Sequence, residues 1–184
     1  MTEEHKQYPP EAIANSILWL AQREGIPITP MKLIKLVYIV YGWYLALFDK
    51  QIFDSTKNPI EAWDHGPVIP SLYHQFKKFE ARPINEFAVD GEILDHSEEI
   101  GNLRYPAVDH RDRAATGTIL SVWDAYKNYN ASDLRYITHA PGGAWDKAHR
   151  KGIRNERLDD EDIKSRSIEG LRRAMGKERK TRVY

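Results

Sequence analysis

Cysteine is absent from the 184 residues of this chain. Disulfides, thiolate metal sites and thiol nucleophiles are therefore excluded, and nothing points to an oxidising compartment. The amino-terminal stretch is polar and acidic, whereas a secretory signal begins with basic residues followed by an apolar segment. These two absences predict a protein of the cytosol.

Long hydrophobic runs are also missing. The longest, Leu36 to Phe48, falls short of the roughly 20 residues that a helix needs to cross a bilayer. We therefore expect a buried helix and no membrane partner. Hydrophobic residues still make up 41% of the chain, including five Trp and ten Tyr, which is enough core material for one folded domain.

Motifs of catalytic and metal sites are not found either. No HExxH, Walker A, GxGxxG or GxSxG pattern occurs, so we expect no metal site, no cofactor and no enzyme. His65 on a turn and His139 ahead of a Pro-Gly-Gly sequence are candidate general bases of a hydrolase or transferase. For His65, a ring bonded to a carbonyl of its own turn is the simpler explanation; for His139 it is a helix-end histidine that satisfies free carbonyls.

Apolar spacing and capping residues predict a mainly α fold, a compact bundle of about six helices around a central aromatic-rich helix. The central helix spans about Met31 to Phe48, with Thr29 as N-cap and Pro30 as its first residue. A small β-hairpin is expected near 51–63, between 51–53 and 60–63. The other predicted helices span 11–24, 72–80, 111–129, 131–138 and 159–175, the last ended by Gly176, and 81–109 is predicted to be a long loop.

Charge is distributed unevenly along the chain, although the net charge is zero. Residues 1–146 carry 14 basic and 20 acidic side chains, whereas 147–184 carry 13 basic and 7 acidic. A body of net −6 and an end of net +6 are suited to steering a charged partner. The basic end also leaves open the alternative of a nucleic-acid-binding regulator.

Three segments are more distinctive than these patterns. They are Met31 to Tyr38 running into Gly42-Trp43, then Ile60 to Tyr73 (IEAWDHGPVIPSLY), then Thr138-His139 with Ala144-Trp145. Together they resemble the Panacea antitoxin-domain family, which includes SocA-like and phage-associated GepA-like proteins. The resemblance covers about residues 9–150. It predicts a Panacea-like helical domain over 1–150, with a basic helix and tail over 151–184 packed on or appended to it.

The resemblance implies an antitoxin that neutralises a cognate protein toxin by direct contact. In one branch of the family the antitoxin instead delivers its toxin to a cellular protease. No catalytic residues carry over from the family. Within the shared segments the candidate binding residues are Lys32, Lys35, Asp64, His65, Tyr73 and His139, and the candidate structural residues are Trp63, Gly66, Pro67 and Trp145.

Two of these candidates pose a physical problem. Lys32 and Lys35 lie on one edge of the central helix near its amino end, where the helix dipole opposes positive charge. We therefore expect other groups to compensate them.

Overall fold

The computed structural model describes residues 6–89, 105–150 and 152–181. Within them the chain forms seven α-helices, one 3-10 turn and one two-stranded antiparallel sheet, so the predicted mainly α class with a small hairpin is confirmed. The helices are α1 (Pro10–Glu24), α2 (Pro30–Phe48), α3 (Pro70–Phe76), α4 (Arg113–Tyr126), α5 (Ala131–Thr138), α6 (Ala144–His149) and α7 (Asp160–Thr181), and the 3-10 turn is Lys77–Phe79.

The capping residues set the bounds of the first two helices. Gly25 ends α1 in the left-handed conformation, and its N–H donates to the carbonyls of Ala21 and Gln22. Thr29 caps α2, with its hydroxyl accepting from the N–H of Lys32, and Pro30 occupies the first helical position. The predicted starts and ends of both helices are thus confirmed.

Helix α2 forms the centre of the bundle. Its residues from Lys32 to Leu45 are all buried, and α1, α4, α5 and α7 pack around it. By length and composition α2 is the one helix in the described residues that could cross a membrane. However, 78% of its most apolar 18-residue stretch is buried inside the fold. A core helix meets the same criteria, and this burial identifies α2 as one.

Helix α7 covers one side of α2 through small residues. A Cβ placed on Gly42 would lie 2.1 Å from the hydroxyl oxygen of Ser167, and one on Gly170 would lie 3.4 Å from the indole nitrogen of Trp43. At the start of α7 the Asp160 carboxylate accepts hydrogen bonds from Tyr41 at 2.8 Å and Gln51 at 2.6 Å. Close backbone approach and these bonds fix α7 against the core.

The hairpin lies later in the chain than predicted. Strand β1 (Glu61–Trp63) pairs with β2 (Gly66–Val68) and not with 51–53, which forms bends. Only two residues separate the strands, and Gly66, the first residue of β2, has a positive φ that residues with a side chain rarely adopt. The other edge of β1 is occupied as well, because Ala62 donates to Glu156 O and Leu158 donates to Ile60 O, each at 2.8 Å.

Three helix predictions need correction. Helix α6 was not predicted, because its six residues directly follow Gly142-Gly143 and are too few to show a periodic pattern. Helix α7 continues through Gly176 to Thr181, since one interior glycine costs only about 1 kcal/mol. The third helix gives way to a 3-10 turn after Phe76. Residues 90–104 of the predicted loop lie outside the described residues.

Candidate binding groove

The hairpin turn is built on contacts that leave no room for a side chain at Gly66. This residue has φ +103°, and a Cβ added to it would lie 2.4 Å from Cε1 of His139 and 2.5 Å from Nζ of Lys35. The Lys35 ammonium reaches past it and donates a hydrogen bond to the carbonyl oxygen of Pro67 at 2.9 Å. Three candidate residues from distant parts of the sequence therefore meet under this turn.

Lys35 is an unusual cation for its position. Its side chain is almost fully buried, and no carboxylate of the described residues lies within ion-pair distance of it. Burial lowers its pKa to about 7, and the positive charge of Arg135 adds to the shift. A buried lysine held by one carbonyl is thus close to losing its proton at neutral pH.

Lys32 lies away from the turn and has a different role. Its Nζ donates to the carbonyl oxygen of Lys127 at 2.6 Å, at the carboxyl end of α4, where a cation is favourable. Burial lowers its pKa as well. Both cations on this edge of α2 therefore donate to backbone carbonyls. This agrees with the expectation that other groups compensate Lys32 and Lys35.

His139 ends α5 as the helix-end explanation predicted. Its backbone N–H and its ring Nδ1 both contact the carbonyl oxygen of Arg135, at 2.9 Å and 2.7 Å. Burial is the main cause of its lowered pKa, and the nearby charge of Lys35 lowers it further, against the opposing effect of the Arg135 carbonyl. The buried Nε2 of His139 makes no hydrogen bond of normal geometry to a described residue. A polar contact with the main chain of Asp64 nevertheless opposes the lowering of the His139 pKa.

Trp145 joins α6 to the hairpin. Its indole N–H donates to the carbonyl oxygen of Trp63 at 2.8 Å, and its ring lies between the rings of His139 and His149, at centroid distances of 3.9 Å and 4.5 Å. The hairpin is thereby tied to α6 and, through the ring of His139, to the end of α5.

Trp63 presents its own ring to the surface. Its N–H donates to the Glu61 carboxylate at 2.8 Å, and its ring packs edge-on against Tyr73 at 4.8 Å. Both Trp63 and Trp145 are only partly buried, and Trp145 packs against the core. They hold the hairpin in place from its outer side.

A groove of about 790 Å³ opens beside this hairpin. Its floor includes Ala62 and Lys35, and its walls come from the start of α2, from α3 with the 3-10 turn, and from the loop before α7. Of the ten candidate residues, five line it: Lys35, Trp63, Asp64, His65 and Tyr73. Gly66, Pro67, His139 and Trp145 support the hairpin next to it, and only Lys32 lies apart.

The two polar residues of the turn are exposed to solvent. Asp64 lies 3.6 Å from the Nε2 of His149, an ion pair when that histidine is protonated. The His65 ring makes no hydrogen bond to any described residue, so the expected bond from this ring to a turn carbonyl is not formed. Both side chains are therefore accessible to a partner, although Asp64 also lies near His149.

Twelve other groove residues were not among the sequence candidates. They include Met31, Lys77, Glu80, Ile153 and Arg154. Met31 begins the first of the three distinctive segments, but no local pattern distinguishes the others. Arg154 belongs to the basic end, 151–184, which was predicted to be packed on or appended to the shared domain. Among the described residues no three His, Asp or Glu side chains are grouped to hold a metal ion.

The family model described as "Antitoxin SocA-like, Panacea domain" matches residues 33–146. This chain belongs to that family. Antitoxin SocA of Caulobacter vibrioides (strain NA1000 / CB15N) is 29% identical to it over 146 residues, which are 79% of this chain and 73% of that protein. No solved structure matches the chain.

The matched range places the family's shared segment on the fold. It contains most of α2, the whole hairpin and α3 to α5, and it ends within α6. The Lys35, Gly66 and His139 contacts thus lie entirely inside it. The groove wall formed by Ile153 and Arg154 lies beyond it, as does α7.

Proposed function

We propose that this protein is the antitoxin of a toxin-antitoxin system and that it neutralises a cognate protein toxin by direct binding. Membership of the SocA-like Panacea family implies the antitoxin role, and the match over 33–146 is the observation that carries the proposal. The similarity to antitoxin SocA over most of both chains supports it. We place the protein in the cytosol, in keeping with its lack of cysteine. Association with a phage or prophage, as in GepA-like proteins, is part of the same proposal.

The alternative of a nucleic-acid-binding regulator depends on the basic carboxyl end. Several of its cations are already engaged within the chain: Lys164 pairs with Asp49 at 2.5 Å, and Arg166 pairs with Glu169. Lys147 pairs with Asp162. Since nucleic-acid binding needs Lys and Arg side chains that are free to neutralise phosphates and so release the counterions of the nucleic acid, these pairs favour a protein partner.

Co-expression with neighbouring reading frames tests the proposal. Each neighbour is induced alone and together with this chain, and growth and co-purification are scored. We expect one neighbour to arrest growth, and this chain to restore growth and co-purify with that product. A salt titration on DNA runs in parallel. The proposal fails if no neighbour is both toxic and rescued, and DNA binding that weakens steeply with salt would then support the regulator.

The level of the toxin during rescue separates two mechanisms. If the antitoxin blocks the toxin by occlusion, the toxin should persist as a stable complex, and its half-life should stay unchanged or increase. If the antitoxin acts as an adaptor for a protease, the half-life of the toxin should fall when the antitoxin is present. A pulse-chase measurement in the rescued cells distinguishes these outcomes.

A further inference from the structure

We infer that the groove beside the hairpin docks a segment of the partner protein that carries a large apolar side chain next to carboxylates. This inference rests on the proposed antitoxin function and names the chemistry that the groove recognises.

The groove walls supply the apolar half of this chemistry. Three large hydrophobic side chains remain exposed around it: Met31 (39%), Tyr73 (36%) and Ile153 (56%). Trp63 also lines the groove; its ring N–H donates to Glu61, and its main-chain carbonyl accepts from the indole of Trp145. Exposed apolar side chains around one concave and partly fixed surface are typical of a recognition site. One large side chain of a partner fits a space of about 790 Å³ with room for its neighbours.

Two cations on opposite walls supply the charge preference. Lys77 on the 3-10 turn and Arg154 on the loop before α7 are exposed, and neither has an ion-pair partner among the described residues. The acidic side chains of the groove are Asp64, which lies near His149, and Glu80. Together with the Lys35 ammonium on the floor, these two cations outnumber the two carboxylates by one, which favours a ligand of net negative charge.

The strand edges at the groove are already occupied, which excludes recognition by strand addition. One edge of β1 pairs with β2 and the other with residues 156–158. On β2, the carbonyl of Pro67 accepts from Lys35. A ligand therefore has to be recognised by its side chains, which agrees with an apolar residue flanked by acids.

One wall of the groove lies outside the family's shared segment. The family match ends at residue 146, whereas Ile153 and Arg154 follow it. The hairpin, α3 and α2 from Leu33 onward are thus the part of the groove inside the family match, and the loop before α7 lies outside it. We place partner selection on that loop.

A peptide selection tests the groove without knowledge of the toxin. Phage-displayed random peptides of about 12 residues are selected on the full-length wild-type protein. The same peptides are then measured by fluorescence polarisation on the variant Lys77→Glu, Arg154→Glu, Ile153→Ser. The matched control carries the same change of charge and of apolar surface away from the groove: Lys50→Glu, Arg113→Glu, Leu120→Ser, all at exposed positions.

We expect selected peptides to combine a large apolar residue with Asp or Glu. Their affinity should fall about 10-fold or more on the groove variant, remain within about 2-fold on the control, and rise with Glu80→Gln. The inference is overturned if no peptide is selected, if the peptides are basic or carry no charge preference, or if both variants bind them equally. Circular dichroism of both variants verifies that they are folded.

The growth assay then connects the groove to neutralisation. Once a toxic neighbour is identified, the groove variant should fail to rescue growth, while the control should rescue as the wild type does. Rescue by the groove variant would place the toxin-binding surface elsewhere and overturn the inference, with the antitoxin function intact. Failure of the wild type to rescue any neighbour would count against the proposed function, whereas the peptide selection reports on the groove independently.

Discussion

The ammonium of Lys35 donates to the carbonyl oxygen of Pro67 at 2.9 Å and thereby ties the central helix to the hairpin. This bond passes directly under Gly66, the one hairpin residue with a positive φ. His139 closes the same space from α5. The hairpin, α2 and α5 can therefore pack this closely only because Gly66 has no side chain.

Gly66→Ala should destabilise the protein. The new methyl group would meet Cε1 of His139 at 2.4 Å and Nζ of Lys35 at 2.5 Å, on a backbone that alanine adopts poorly. Strain of this kind costs about 1–3 kcal/mol, and the steric overlap adds to it. Urea denaturation should show a lower free energy of unfolding.

Gly117→Ala is the matched control for that experiment. Gly117 lies within α4, and a Cβ there would meet nothing within 4 Å. Alanine should therefore stabilise the protein by about 0.5–1 kcal/mol. Equal effects of the two substitutions would contradict the packing described around the hairpin turn.

Burial of Lys35 should make the stability depend on pH. Its pKa is about 7 in the folded protein, compared with 10.5 in an exposed lysine. Between these values the unfolded chain binds more protons, so stability rises with pH, by up to about 1.4 kcal/mol per pH unit. Below pH 7 both states are protonated and the cost of burying the charge is fully present. The lowered pKa of His139 acts in the same direction, because stability falls as the pH drops below 6.5.

Lys35→Met isolates this contribution. We expect the free energy of unfolding of the wild type to increase from about pH 7 to pH 9, while the profile of the variant is flatter over the same range. The two profiles are compared by slope, since loss of the bond to Pro67 shifts the whole curve of the variant. Gly117→Ala should keep the slope of the wild type. Parallel profiles for the wild type and Lys35→Met would show that Lys35 keeps its proton throughout.

The sequence predicts the local parts of this fold better than its long-range contacts. Gly25, Thr29 and Pro30 signal helix ends through their own backbone preferences, and the structure places them as expected. The need to compensate Lys32 and Lys35 also followed from sequence, but their partners did not. Those partners are backbone carbonyls, 95 and 32 residues away along the chain, and every residue type has such a carbonyl.

The groove illustrates the same limit. Trp63, Asp64, His65 and Tyr73 were identified together because they lie in one distinctive tract. The opposite wall is brought there by tertiary packing, where 156–158 pairs with β1 and carries Arg154 alongside. No local signal in an exposed, polar loop reveals such a position.

Gly42→Ala should weaken the attachment of α7. Its methyl group would lie 2.1 Å from the hydroxyl of Ser167 and 3.2 Å from a methyl group of Ile163, so the Ser167 hydroxyl must rotate away or the two helices must move apart. We expect a loss of about 1–3 kcal/mol, although alanine favours helix formation at this position. Ser167→Ala removes the nearer contact and should restore part of the loss, which a double-mutant cycle measures. Gly176→Ala, with open space around its Cβ, serves as the control.

Removal of residues 151–184 should prevent normal folding, in spite of the predicted domain of 1–150. Without α7 the buried side chains of Tyr41 and Trp43 lose their cover, and the bonds from Tyr41 and Gln51 to Asp160 disappear. The strand-like segment 156–158 on the free edge of β1 is lost with them. We expect an aggregating or molten product by circular dichroism and size-exclusion chromatography. Removal of 177–184 alone removes four basic and one acidic side chain and should change the salt dependence of partner binding. A soluble, cooperatively unfolding 1–150 fragment would show instead that α7 is an appendage to a self-sufficient domain.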